Sequence, residues 1–88
     1  MKVTYRIEVG LKRPRRGGID GVEMVAKGEI PFVPPVGMML VPIPHDDFRE
    51  VERAYWRVTE PDEIEVYFAY DEGNTVEALE RFGWKEEP

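Results

Sequence analysis

The 88-residue chain contains no cysteine and no serine, and it has a single histidine. Without cysteine, the chain can form neither a disulfide framework nor a thiolate nucleophile. Without serine, the serine–histidine–aspartate arrangement is impossible, and no glycine-rich phosphate loop precedes a helical segment. We therefore expect a protein that is not an enzyme and that uses no cofactor.

Long apolar runs are also missing. The most apolar segment, IPFVPPVGMMLVPIP at 30–44, has fifteen residues, of which five are proline. A bilayer-spanning helix needs about 20 apolar residues, and proline breaks helices. The first residues, MKVTYRIEVG, alternate between polar and apolar, whereas a secretory signal has a continuous apolar run of about 7–15 residues. These patterns predict a soluble cytoplasmic protein that does not bind membranes.

Acidic residues outnumber basic residues by 18 to 12, which gives a net charge of −6. This balance disfavours general affinity for nucleic acid or anionic lipid. The hydrophobic share, 42%, is sufficient for one small core. The length predicts a single domain over residues 1–88.

Alternating apolar residues are typical of strands with one buried face. This pattern predicts five strands, at 2–12, 22–33, 38–43, 51–59 and 63–70. The fourth strand has a competing interpretation as a helix over 46–58. Asp47 and Glu50 resemble a capping box, but the turn at 59–62 favours a hairpin.

The segment NTVEALERFGW, residues 74–84, predicts a short C-terminal helix. Asn74 or Thr75 can cap its start, and Gly83 can adopt the left-handed conformation that ends it. Trp84 then contacts Leu79, and residues 85–88 form a frayed tail. The expected fold is mainly β (α+β): a five-stranded antiparallel meander, as a bent sheet or open barrel, with one short C-terminal helix.

Three segments, PFVPPVG, REVERAYWRV and EIEVYF, resemble parts of small bacterial β-barrel-like proteins of uncharacterised function. The resemblance covers residues 30 to 70. It implies a small open barrel and assigns no functional residue.

The predicted third strand is apolar on both faces. Met38 and Leu40 point to one side, and Met39, Val41 and Ile43 point to the other. A sheet with one buried face leaves the second set uncovered. The C-terminal helix, a protein partner or a second copy of the chain could cover it. We therefore predict a non-enzymatic interaction module that binds a protein partner, or itself as a homodimer, through this strand.

A basic segment, KRPRRGG, supplies Arg13, Arg15 and Arg16 as further candidate binding residues. Arginines on a glycine-rich loop can bind phosphates, which gives the alternative of a nucleic-acid-associated small barrel using loop 12–18. The same residues could bind an acidic protein partner or form a solvated hairpin loop.

Two other clusters favour structural interpretations. His45, Asp46 and Asp47 are all metal-ligand types, but consecutive loop residues seldom converge on one ion. A solvated turn is the expected structure, and no metal site is predicted. The aromatic residues Tyr5, Tyr55, Trp56 and Tyr67 could grip a ligand, although aromatics on strands are usually core residues or cross-strand pairs.

Overall fold

A computed structural model of the chain describes residues 1–10, 21–71 and 73–87. In that part of the chain there are six strands and one helix. They are β1 (Lys2–Gly10), β2 (Gly21–Glu29), β3 (Met39–Leu40), β4 (Arg49–Trp56), β5 (Glu63–Phe68), α1 (Val76–Phe82) and β6 (Lys85–Glu86).

The described strands form one mixed sheet in the order β3-β4-β5-β1-β2-β6. β1 pairs with β5 in parallel, and every other pair is antiparallel. The sheet does not close, because β3 and β6 lie at opposite edges. The prediction of a small mainly β domain with one short helix is confirmed, but the five-stranded antiparallel meander is wrong.

The chain departs from a meander after β2. Ile30 is buried at the end of β2, and the proline-containing segment from Pro31 to Pro35 then leaves the sheet. Because proline cannot donate a backbone hydrogen bond, this segment does not add a strand beside β2. It crosses to the far edge, and the chain returns through β4 and β5 to the parallel side of β1.

One face of the sheet holds the core. Val3, Ile7 and Val9 of β1 are almost fully buried, as are Val66 of β5 and Met24 of β2. The helix and the apolar segment before β4 cover this face, since Leu79 and Trp84 are buried and Met38, Leu40 and Ile43 pack against the core. Side chains of the opposite face alternate outward along the same strands.

The helix has the predicted ends. Thr75 is its N-cap, and its Oγ1 accepts a hydrogen bond from the Ala78 N–H at 3.2 Å. Gly83 closes it with φ +114°, and the Trp84 N–H donates to the Leu79 carbonyl at 3.0 Å. The prediction of a frayed tail is wrong, because Lys85–Glu86 pairs with β2 as strand β6.

The segment 46–58 contains no helix; its residues Arg49–Trp56 form β4, which pairs with β5 across a bulge between Val51 and Arg53. The third strand is much shorter than the predicted 38–43. Pairing with β4 stops after Leu40, because Pro42 lacks an N–H and Ile43 turns towards the C-terminal end of α1.

Candidate protein-binding edge

The edge of the sheet at β3 is built by a tight turn at Gly37, which has φ +88°. The Gly37 N–H donates to the Val51 carbonyl at 2.7 Å, and the Val51 N–H donates to the Met38 carbonyl at 2.8 Å. Met39 then lies opposite Glu50, and Leu40 lies opposite Arg49. The turn therefore fixes the register in which β3 meets β4.

The side chains of this edge divide between the two faces. Leu40 packs against the core, whereas Met39 and Val41 remain 52% and 44% exposed. Phe48, which directly precedes β4, is 66% exposed. We call Met39, Val41 and Phe48 the apolar edge. Met39 and Val41 lie in the segment 30–44, which has no charged or polar side chain, whereas the exposed Glu50 of β4 lies opposite Met39.

Ile43, the third residue predicted for this face, has a different position. It is half-buried and packs against the core. A Cβ atom at Gly83 would lie 3.5 Å from its Cδ1, so Ile43 lies beside the end of α1. The helix thus covers Ile43 but leaves Met39 and Val41 uncovered.

Beneath the edge lies a buried ion-pair cluster centred on Arg49, which is 7% exposed. Its Nε and Nη2 donate to the two oxygens of Asp46 at 2.9 and 2.8 Å. Its Nη1 donates to Asp71 Oδ2 at 2.6 Å. Asp46 also accepts a hydrogen bond from Trp84 Nε1 at 2.9 Å, and Asn74 Nδ2 donates to Asp71 at 2.8 Å. The cluster ties the start of β4 to the chain around α1.

The pKa values of both carboxylates of the cluster are lowered, which favours their charged forms. Burial alone would raise the pKa of Asp46, but hydrogen bonds from Arg49, the Asp47 N–H and Trp84 outweigh it and lower the pKa. Burial likewise opposes the lowered pKa of Asp71, and hydrogen bonds from Asn74 and Arg49 prevail. One guanidinium therefore holds two carboxylates, and hydrogen bonds from Trp84 and Asn74 help to stabilise the second negative charge.

Sequence reasoning missed this cluster. It interpreted His45-Asp46-Asp47 as a solvated turn, yet the Asp46 side chain has no exposed surface. The one local signal was the spacing of Asp46 and Arg49, three residues apart. Asp71 is 22 residues away from Arg49 in the sequence, so no local pattern predicts the ion pair between them. Within residues 1–10, 21–71 and 73–87, no three potential ligand side chains converge as a metal site would require.

The face of the sheet opposite the core carries a second feature. Arg53 lies over the ring of Tyr67 at 4.6 Å and near that of Tyr55 at 5.8 Å. The two rings meet edge to face with centroids 5.6 Å apart. Glu65 and Arg6 flank them and hydrogen-bond to each other at 3.2 Å. Of the four aromatic residues predicted as a possible ligand-binding group, Tyr55 and Tyr67 therefore belong to this feature.

The other two aromatic candidates lie elsewhere. Tyr5 is buried in the core and stacks on Phe68 at 5.6 Å. Trp56 lies opposite Ile64, on the core-facing side at the end of β4, and its Nε1 donates to the Pro61 carbonyl at 3.1 Å. Among the four, Tyr55 and Tyr67 are the two whose rings contact each other.

The candidate residues Arg13, Arg15 and Arg16 lie at 11–20, outside the described residues. No described helix is long and apolar enough to cross a membrane. Comparisons with protein-family models, curated protein sequences and solved structures find no match.

Proposed function

We propose that the protein is a small, soluble, non-enzymatic interaction module of the cytoplasm, which binds a protein through the apolar edge. The observation that carries the proposal is the exposure of Met39, Val41 and Phe48 at an open sheet edge. Single exposed apolar residues are ordinary, but an apolar group beside unpaired strand backbone is a template for another strand.

The partner would bind by adding an extended segment to β3. Main-chain hydrogen bonds supply affinity in this mode, and side chains at alternate positions supply specificity. The facing segment must present apolar residues to Met39 and Val41. The buried cluster around Arg49 holds β4 rigid behind β3, which lowers the ordering cost of binding.

A photo-crosslinking amino acid tests the proposal. It is placed at Val41 and, as a matched control, at Val58, which is 76% exposed on the β4–β5 turn. In the native cell, we expect an adduct of discrete mass from position 41 and none from position 58. The substitution Met39→Glu should remove the adduct. Absence of an adduct, or equal adducts from both positions, would refute the proposal.

The alternative of a nucleic-acid-associated protein has one supporting observation, the exposed Tyr55 and the half-buried Tyr67 with Arg53 near both rings. Aromatic rings beside an arginine can stack with unpaired bases. The nearby carboxylate of Glu65 and the net charge of −6 oppose a phosphate backbone. Fluorescence anisotropy with a labelled single-stranded oligonucleotide tests it. Binding that weakens with salt and is lost in Tyr67→Ala would favour this alternative.

A further inference from the structure

A cavity of about 350 Å³ lies on the face of the sheet opposite the core, where the β4–β5 loop meets the start of β1. Its volume is within the range of about 300–1,000 Å³ that is typical of small-ligand sites. One row of paired residues on four strands lines it: Lys27 of β2, Thr4 of β1, Glu65 of β5 and Tyr55 of β4. The cavity is at the opposite end of β4 from the apolar edge, so it is a separate site.

The loop from Arg57 to Glu63 forms one wall of the cavity, and backbone hydrogen bonds hold it in place. The Glu60 N–H donates to the Arg57 carbonyl at 3.0 Å, and the Glu63 N–H donates to the Glu60 carbonyl at 3.1 Å. The Lys2 N–H, at the start of β1, donates to the Asp62 carbonyl at 2.6 Å. Because the wall is already fixed, a ligand pays little ordering cost when it binds there.

Unpaired positive charge gathers in this cavity. Lys2, Lys27 and Arg57 line it, and none of the three makes an ion pair within residues 1–10, 21–71 and 73–87. The half-buried hydroxyl of Thr4 lies on the strand between the two lysine-bearing positions, opposite Lys27. Ammonium and hydroxyl groups in this arrangement are the donors that a phosphate group requires.

Carboxylates of the described residues also line the cavity, but they do not cancel its positive charge. The carboxylate of Glu65 is paired with Arg6 at 3.2 Å. Glu60 and Glu63 remain, so two unpaired carboxylates stand against three unpaired cations. In a chain of net charge −6, this is a local excess of positive charge. The cavity therefore favours a ligand that carries an anionic group.

The chemistry of the lining changes in order across the sheet. Strands β2 and β1 present Lys27, Lys2 and Thr4, β5 presents the carboxylate of Glu63, and β4 presents the ring of Tyr55. Four neighbouring strands span three strand spacings, about 14 Å. Lysines bind phosphate, carboxylates accept hydrogen bonds from ribose hydroxyls, and aromatic rings stack with bases. The order across the sheet is thus that of phosphate, ribose and base.

We propose that this cavity binds a nucleoside monophosphate, with its phosphate at Lys2 and Lys27, its ribose at Glu63 and its base against Tyr55. The ring of Tyr55 is 50% exposed, and Tyr67 supports it edge to face at 5.6 Å. A free nucleotide fits better than a nucleic acid, because the net charge of −6 opposes a longer phosphate backbone. This ligand goes beyond the proposed function and does not depend on it.

A titration of the isotope-labelled full chain with AMP, followed through amide chemical shifts, tests the proposal. We expect saturable shifts at 2–4 and 63–65, with a dissociation constant of about 0.1–1 mM because the cavity is open. Adenosine lacks the phosphate and ribose phosphate lacks the base, so each should bind at least about fivefold more weakly than AMP. Salt should weaken the binding of AMP.

Matched variants assign the binding to this cavity. Lys27→Gln and Tyr55→Leu should each weaken AMP binding at least about fivefold, because they remove a phosphate contact and the stacking surface. Lys85→Gln and Tyr70→Leu change exposed residues of the same types outside the cavity, and they should leave the dissociation constant within about twofold. All four positions are exposed, and the spectrum without ligand verifies that each variant is folded.

The absence of saturable shifts up to about 10 mM AMP would overturn the inference. Ribose phosphate that binds as tightly as AMP, or control variants that weaken binding as much as the site variants, would also overturn it. A terminally phosphorylated oligonucleotide that binds the same amides more tightly than AMP would assign the cavity to a nucleic acid instead. None of these results alters the proposed function, which the crosslink at position 41 tests separately.

Discussion

Replacing Arg49 by methionine should destabilise the fold more than any other arginine substitution in the described chain. The guanidinium makes three hydrogen bonds to Asp46 and Asp71. Methionine has a similar length and no charge, so both carboxylates would keep their burial and lose their cation. Breaking a buried ion pair by removing one partner costs about 3–5 kcal/mol.

That magnitude is large for a chain of this size. At roughly 0.05–0.15 kcal/mol per residue, the whole domain is stable by about 4–13 kcal/mol. Urea unfolding followed by tryptophan fluorescence measures the loss directly. Trp84 is buried and donates to Asp46, so its emission reports on the cluster, whereas Trp56 is half-exposed. The matched control is Arg53→Met on the same strand. Arg53 is itself exposed and lies over the rings of Tyr67 and Tyr55, so this substitution should cost about 1 kcal/mol or less.

The pH dependence gives the same prediction a second check. The pKa values of Asp46 and Asp71 are lowered in the folded protein. Their ionisation therefore contributes to the free energy of unfolding at pH values above the unfolded-state pKa of about 3.9. It is lost as pH falls from there through the folded pKa values. Without Arg49 both pKa values rise, so the difference between wild type and Arg49→Met should shrink as pH approaches 4. A difference that is constant with pH, or no larger than that of Arg53→Met, would refute the ion-pair account.

Three further predictions concern the helix and the basic segment 12–18. Thr75→Ala should cost about 1 kcal/mol in urea unfolding because it removes the N-cap, whereas Thr75→Ser should cost little. Gly83→Ala should cost about 1–3 kcal/mol, since φ +114° strains any residue with a Cβ; an unchanged midpoint would contradict the capping role. Replacing Arg13, Arg15 and Arg16 together by glutamine should abolish any oligonucleotide binding and keep the adduct at position 41. Loss of that adduct would instead assign the interface to the basic segment.

The local elements were predictable because their signals are local. The alternation of Val3, Tyr5 and Ile7 defines β1, and the spacing of Thr75 and Gly83 defines both ends of α1. The parallel pairing of β1 with β5 was not predictable, because it joins Lys2 to Glu63 and depends on where the intervening chain crosses. Strand β6 has two residues and no periodicity, so its pairing with β2 leaves no trace in the sequence.

For the candidate site, alternation predicted the exposed face correctly for Met39 and Val41 but not for Ile43. Apolar residues on both faces of 38–43 indicated that one face needs a cover, and Met39 and Val41 are indeed exposed. The assignment of Ile43 to that face assumed an unbroken strand. Alternation carries information only while the chain stays extended, and the pairing ends at Leu40. After a proline inside a predicted strand, alternation therefore no longer predicts which face of the sheet a side chain lies on.

The two edges of the sheet show why β3, and not β6, is the candidate for binding. Strand β6 presents Lys85 and Glu86, both exposed, and charged side chains on an edge strand oppose the addition of a further strand. Strand β3 has no such charge, but it is limited in length. The turn at Gly37 ends it on one side, and Pro42 withholds an N–H on the other. An edge strand as short as Met39–Leu40 can accept only a short segment, which disfavours open-ended aggregation.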